Sequence, residues 1–297
     1  MPISAWISAT RPKTLAAGVV PVAVGTALAG TVVGIDWLIA GGCLAGALLI
    51  QIGCNFANDA FDSLKGADTA ARVGPQRAVA AGLITARTML MATALILVAA
   101  LAVGVWLATV GGWPVLVLGL VSLVCAVAYT GGPFPLAYLG LGDLFVLLFF
   151  GGFAVLGSAW MQVADSTRIL PATWWWVATG VGLQAVAIIC VNNLRDIATD
   201  GPAGKRTVCV RLGDAASRWY YGALHAGAAL AFVIAAACAS PLARDPYVAA
   251  GVLASVGGVL LARGVKRTHG AALNSYLART AALELATGAV LVGLLGR

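Results

Sequence analysis

Cys54 to Arg77 reads CNFANDAFDSLKGADTAARVGPQR and follows directly on a long apolar run. Asn55, Asn58, Asp59 and Asp62 stand at i, i+3, i+4 and i+7, so a continuation of the preceding helix projects all four from one face. An apolar helix ending in a stripe of oxygen ligands suits a hard cation such as Mg2+, which binds through one or two carboxylates and the phosphates of a substrate. Arg72 and Arg77, just downstream, suit those phosphates. The stretch Asn192 to Arg211, NNLRDIATDGPAGKRTVCVR, repeats the pattern. Asn192, Asn193, Asp196 and Asp200 share a helical face, and Lys205, Arg206 and Arg211 follow. Either stretch alone also suits a helix end whose Asn and Asp cap and solvate the exit from a membrane. Two of them argue for one site built from both.

Composition fixes the setting. Of 297 residues, 61% are hydrophobic and 10% charged, with a mean hydropathy of +0.96. That is a polytopic membrane protein. A net charge of +7 does not point to nucleic acid, because the basic residues are scattered among loops between apolar runs. Apolar runs cover Thr14 to Gly34 and about 37–58, 88–109, 112–130, 143–163, 173–195, 219–240, 246–262 and 280–296. The expectation is therefore an all-α integral membrane protein, with nine transmembrane helices around a central cavity. It forms one domain over 1–297: two four-helix units, about 14–130 and 143–262, plus a ninth helix. No alternation of period two supports a barrel. The N-terminus lacks a cleavage pattern and reads as an uncleaved first span. All basic residues but Arg168, Arg244 and Arg297 fall on the side of the N-terminus and even-numbered span ends. By the positive-inside rule both polar motifs face the cytoplasm of a bacterial cell (inner) membrane. Trp174, Trp175 and Trp176 open span six at the opposite face.

The remaining polar residues divide by context. The six cysteines show no CxxC spacing and read as small buried hydrophobes, although Cys54 and Cys190 adjoin the motifs. His225 and His269 have no partner at ligand spacing, which argues against zinc. Tyr129 ends span four and opens the turn-rich segment YTGGPFPLAYLGLGD, at the same face as the motifs. Glu284 lies inside the last span, and its distance from Arg279 favours pairing or snorkelling.

The combination of Asn58-Asp59-x-x-Asp62 with Arg72 and Arg77, and of Asn193-Leu-Arg-Asp196-x-x-x-Asp200 with Gly204-Lys205-Arg206-Thr207, resembles the UbiA superfamily of intramembrane aromatic prenyltransferases. The resemblance covers nearly the whole chain. Within it, Arg11-Pro12-Lys13-Thr14-Leu15, the RVGPQR string ending at Arg77, the Tyr129-Thr-Gly-Gly-Pro turn, the Gly140-Leu-Gly-Asp143 turn and Asn192-Asn-Leu-Arg-Asp196 are similar to the branch acting on 1,4-dihydroxy-2-naphthoate. The resemblance implies Mg2+-dependent transfer of a polyprenyl group from polyprenyl diphosphate to that aromatic acid. CO2 and diphosphate are lost, giving demethylmenaquinone in menaquinone biosynthesis. It implies Asn58, Asp62, Asp196 and Asp200 as metal ligands and Asp59 as an auxiliary one. Arg72, Arg77, Lys205 and Arg206 would clamp the diphosphate, Tyr129 would stabilise the allylic cation, and Arg11 and Asn55 would orient the acid. Two positions depart from relatives: Gly66 replaces an aspartate, with Asp68 a substitute nearby, and Phe134 replaces a lysine. Rival readings are a sibling enzyme acting on 4-hydroxybenzoate or homogentisate, and a cation-coupled transporter, whose acids would lie near mid-membrane.

Overall fold

A computed structural model describes residues 2–68, 73–163 and 169–297, without the side chains of Lys13 and Ala16. The described residues are helical throughout their ordered elements and include no strand. A short helix α1 (Ile3–Thr10) turns at Arg11 into α2 (Pro12–Gly30). There follow α3 (Trp37–Leu64), α4 (Ala86–Gly111), α5 (Trp113–Ala128) and α6 (Gly142–Val163), then α7 (Ala172–Asp200), α8 (Val208–Cys238), α9 (Asp245–Arg267) and α10 (Leu273–Leu295).

Seven helices among the described residues are long and apolar enough to cross a membrane. The helices at the first and fourth expected spans, α2 and the shorter α5, are not among those seven. Several boundaries differ from expectation in one direction. The second and sixth spans continue through their polar motifs to Leu64 and Asp200, and α8 opens at Val208 with a short piece set off from the rest by a kink at Gly213 (φ 76°). Hydropathy marks where lipid contact ends, whereas the helix continues wherever its polar residues meet protein. The Asn and Asp residues of each motif therefore lie on the last turns of a helix, and the basic residues Arg77, Lys205 and Arg206 lie in the loops that follow.

Burial is inverted relative to a soluble protein. Large apolar residues such as Met91, Leu95 and Val98 on α4, or Val252, Val256 and Val259 on α9, are exposed, as a lipid-facing surface requires. Asn55, Asn58, Asp59, Asp62, Asn193, Asp196 and Asp200 are buried. The core runs along α7, where Val177, Val181, Ala185, Ile188 and Val191 pack inward. Small residues let α6 approach it: a Cβ on Gly151 would fall 2.6 Å from the Ala178 carbonyl oxygen and one on Gly182 2.8 Å from Gly151 Cα. Helix α6 is π-wound over Leu147–Leu156, a winding that re-aims side chains, and it brings Phe149 and Phe150 to the cavity wall. At the far end Gln162 of α6 grips the α2–α3 turn, accepting from Asp36 N (2.8 Å) and donating to Asp36 O (3.0 Å).

Candidate functional site

The motif-bearing ends of α3 and α7 converge on a cavity of about 220 Å3. Helix periodicity brings Asn55, Asn58 and Asp62 of α3 to its wall, and Asn192 and Asn193 of α7. Arg11, Arg77, Tyr129 and Lys205 complete the predicted residues that line it. Asp59, Asp196, Asp200 and Arg206 do not line it. Arg72 lies outside the described residues.

Each placement has a local cause. Arg11 holds a left-handed conformation (φ 54°), which costs a non-glycine residue roughly 1–2 kcal/mol and makes the α1–α2 corner. Asn55 Nδ2 donates to the Thr10 carbonyl across that corner (2.9 Å), so Asn55 fixes the corner that carries Arg11. Asn58 Oδ1 accepts from Thr130 Oγ1 (2.7 Å), and Asp62 Oδ1 accepts from Tyr138 Oη (3.0 Å). Lys65 Nζ donates to the Thr130 carbonyl (2.6 Å) and lies 4.8 Å from the Tyr138 ring centroid. Burial, reinforced by Asp62, pushes the Tyr138 phenol well above its ordinary range, so it stays a donor at neutral pH. Thr130, Tyr138 and Lys65 were not singled out from sequence. The first two lie in the YTGGPFPLAYLGLGD segment, whose composition suits an ordinary turn equally well.

The two motifs meet at Lys205. Its Nζ lies 4.0 Å from Asp62 Oδ2 and 3.7 Å from Asp200 Oδ1. The loop holding it is tied to the Tyr129–Asp143 segment: Arg206 N donates to the Tyr138 carbonyl (3.1 Å), and Arg211 Nη2 to the Leu139 carbonyl (2.8 Å). Gly142 leaves room for Tyr129, because a Cβ there would fall 2.8 Å from its hydroxyl. Asp143 accepts from Tyr220 Oη (2.9 Å).

Three acids have other partners. Asp59 accepts from the amides of Ala78 (3.1 Å) and Val79 (3.0 Å), anchoring the segment that ends in Arg77. Asp68 Oδ2 lies 3.4 Å from Arg77 Nε. Asp196 is gripped by its neighbour Arg195 through Nε (2.8 Å) and Nη2 (2.6 Å). Glu284 does not pair with Arg279. It is fully buried, with neither oxygen hydrogen-bonded among the described residues, while Arg279 lies over the Tyr276 ring, because a five-residue spacing puts the two on different helix faces.

No cluster of three or more His, Cys, Asp or Glu suited to a metal occurs among the described residues. The oxygen-only donors Asn58 and Asp62, opposite Asp200, fit Mg2+ of the kind completed by substrate oxygens and water, at the place where the Lys205 ammonium now meets both carboxylates. Behind this polar mouth, a second chamber of about 210 Å3 shares Ile50, Gln51, Ser122, Phe149 and Phe150 with the first. Leucine, glycine and phenylalanine from α3, α4, α5 and α6 line it.

Comparison with known proteins agrees with this architecture. Residues 18–283 match the model of the UbiA prenyltransferase family. The chain is 40% identical over 231 residues to the 1,4-dihydroxy-2-naphthoate octaprenyltransferase of Escherichia coli (strain K12), covering 75% of this chain and 73% of that protein. It is 38% identical over 232 residues to the enzyme of the same name from Mycobacterium tuberculosis, covering 77% of each. A UbiA homolog from Archaeoglobus fulgidus, solved bound to GPP and Mg2+, superposes with a TM-score of 0.70 at 14% identity, over 97% of this chain and 99% of that one. The apo UbiA homolog from Aeropyrum pernix K1 gives 0.69 at 17%, over 94% and 96%. By sequence and by fold, this all-α membrane protein belongs to the UbiA prenyltransferase family.

Proposed function

We propose that the chain transfers a polyprenyl group from polyprenyl diphosphate to 1,4-dihydroxy-2-naphthoate, releasing CO2 and diphosphate and giving the hydroquinone form of demethylmenaquinone. The observation that carries this reading is the junction of unlike compartments: a mouth lined by Asp62, Arg77 and Lys205 opens into an apolar chamber. A prenyl diphosphate has the same two halves. The relatives named for the naphthoate reaction support the choice of acceptor.

Cleaving an allylic C–O bond leaves a carbocation and a diphosphate of high negative charge. The enzyme must stabilise the second and keep water from the first. Lys205 and Arg77 contact the diphosphate oxygens, Arg206 adds positive charge beside Lys205, and Arg72 is assigned to the same clamp from the sequence motif. Mg2+, when bound, would neutralise charge on the leaving group; Asn58, Asp62 and Asp200 would hold it, directly or through water, and Asp196, gripped by Arg195, would reach it through water. Asp59 acts by anchoring the Arg77 segment. Tyr129 turns its ring toward the allylic carbon, and Arg11 and Asn55 orient the acid. The ring carbon bearing the carboxylate attacks the prenyl carbon; the C–COO− bond then breaks and its electrons restore the aromatic ring. That step needs no strong base, in keeping with motifs that lack histidine. The N-terminal side of the bundle, where the motifs lie, is read as the cytoplasmic face of a bacterial inner membrane, on the distribution of basic residues.

The test is mass spectrometry of products after the purified protein is given a prenyl diphosphate, Mg2+ and a panel of aromatic acids. The expected result is prenylation of 1,4-dihydroxy-2-naphthoate. Efficient turnover of 4-hydroxybenzoate or homogentisate in its place would reassign the acceptor.

A further inference from the structure

We infer that Arg195 is a positioning residue for the phosphate end of the cavity, acting through Gly74 on the segment that presents Arg77. The inference rests on the prenyl-diphosphate reading above. Arg195 is buried and does not line the cavity. Its guanidinium is nonetheless committed on every side. Nε and Nη2 hold Asp196, Nη2 also donates to Asn192 Oδ1 (2.9 Å), and Nη1 donates to Asn274 Oδ1 at the start of α10 (2.6 Å). Asn192 is itself on the cavity wall.

Gly74 lies close against the guanidinium. A Cβ there would fall 2.6 Å from Nη2 and 2.9 Å from Cζ, so only glycine lets the segment lie this close. Four residues on, the same segment is anchored by Asp59 at the amides of Ala78 and Val79. Arg77, between these points, reaches the cavity. One residue from each polar motif thus fixes one end of the segment, and neither touches the cavity. Lysine cannot replace Arg195, because a single ammonium lacks the planar fork that serves Asp196, Asn192 and Asn274 together.

Isothermal calorimetry on the full chain in detergent tests this, with geranyl diphosphate plus Mg2+ as one titrant and the naphthoate as the other. Gly74→Ala should weaken geranyl diphosphate binding about tenfold, the loss of one charge-assisted contact, and leave naphthoate binding unchanged. Arg195→Gln should weaken diphosphate binding as well, and adding Gly74→Ala to it should cost nothing further, since the clash needs the guanidinium. Wild-type affinity in Gly74→Ala, equal weakening of both titrants, or additive effects in the double variant would overturn the inference. If Arg195→Gln does not purify folded, Arg195→Lys takes its place, and the same additivity would be decisive. Absence of geranyl diphosphate binding by the unaltered protein would overturn the proposed function and this inference with it, whereas normal binding by both it and Gly74→Ala would overturn only the inference.

Discussion

Replacing Lys205 by methionine keeps the length of the side chain and removes its charge. The ammonium sits 4.0 Å from Asp62 Oδ2 and 3.7 Å from Asp200 Oδ1, and the side chain is 14% exposed. At about 4 Å and an effective dielectric of about 20, each attraction amounts to roughly 4 kcal/mol before desolvation, most of which the burial of the charges offsets. What a diphosphate oxygen gains from the same ammonium is a charge-assisted hydrogen bond of about 1.5–3 kcal/mol. Lys205→Met should therefore weaken geranyl diphosphate binding about 10- to 150-fold, as measured by calorimetry in Mg2+. The sign for metal alone is opposite. With the competing ammonium gone, the Asp62 and Asp200 oxygens that it now meets are no longer shared with it, so Mn2+ titrated without diphosphate and followed by electron paramagnetic resonance should bind more tightly. A folded variant with unchanged diphosphate affinity would refute the reasoning.

Asp62→Ala should nearly abolish turnover while leaving the protein folded in detergent, because the lost carboxylate lies at the mouth and its partners, Tyr138 and Lys205, can turn to water; substantial activity would count against a site shared by both motifs. Asp59→Ala leaves the amides of Ala78 and Val79 without their acceptor, a loss of about 1–3 kcal/mol for each buried donor, and should appear as a lower melting temperature together with weaker diphosphate binding. Glu284→Gln should leave the melting temperature equal or higher, since it removes a fully buried carboxyl with no hydrogen-bond partner among the described residues in favour of a neutral group of the same shape; a marked loss of stability would show that the carboxyl has a role the amide cannot fill.

Much of the site was legible because it obeys helical periodicity. Asn55, Asn58 and Asp62 reach one cavity since α3 continues to Leu64, and the spacing alone states that face. Other features depend on contacts that periodicity does not encode. Asp59 belongs to the same stripe, yet turns to the amides of Ala78 and Val79, a partner set by how a later loop folds back. Asp196 is held by the residue directly before it, although adjacent residues on a helix do not ordinarily face each other; the grip exists because a buried Arg195 can curl toward the end of α7. Tyr138 and Thr130 were hidden in a segment that reads as a turn, and their role emerges only when α3 brings Asp62 and Asn58 beside it. The apolar runs end before the helices do for a related reason: buried Asn and Asp lower the hydropathy of α3 and α7, while the protein walls around them let the helix continue.

The account's central claim concerns what happens at the carbon the prenyl group joins, and carboxyl-labelled 1,4-dihydroxy-2-naphthoate reads it directly. Purified protein in lipid nanodiscs with a prenyl diphosphate and Mg2+ should release one labelled CO2 for each prenylated product formed. Label retained in the prenylated product, or CO2 released without prenylation, would contradict it.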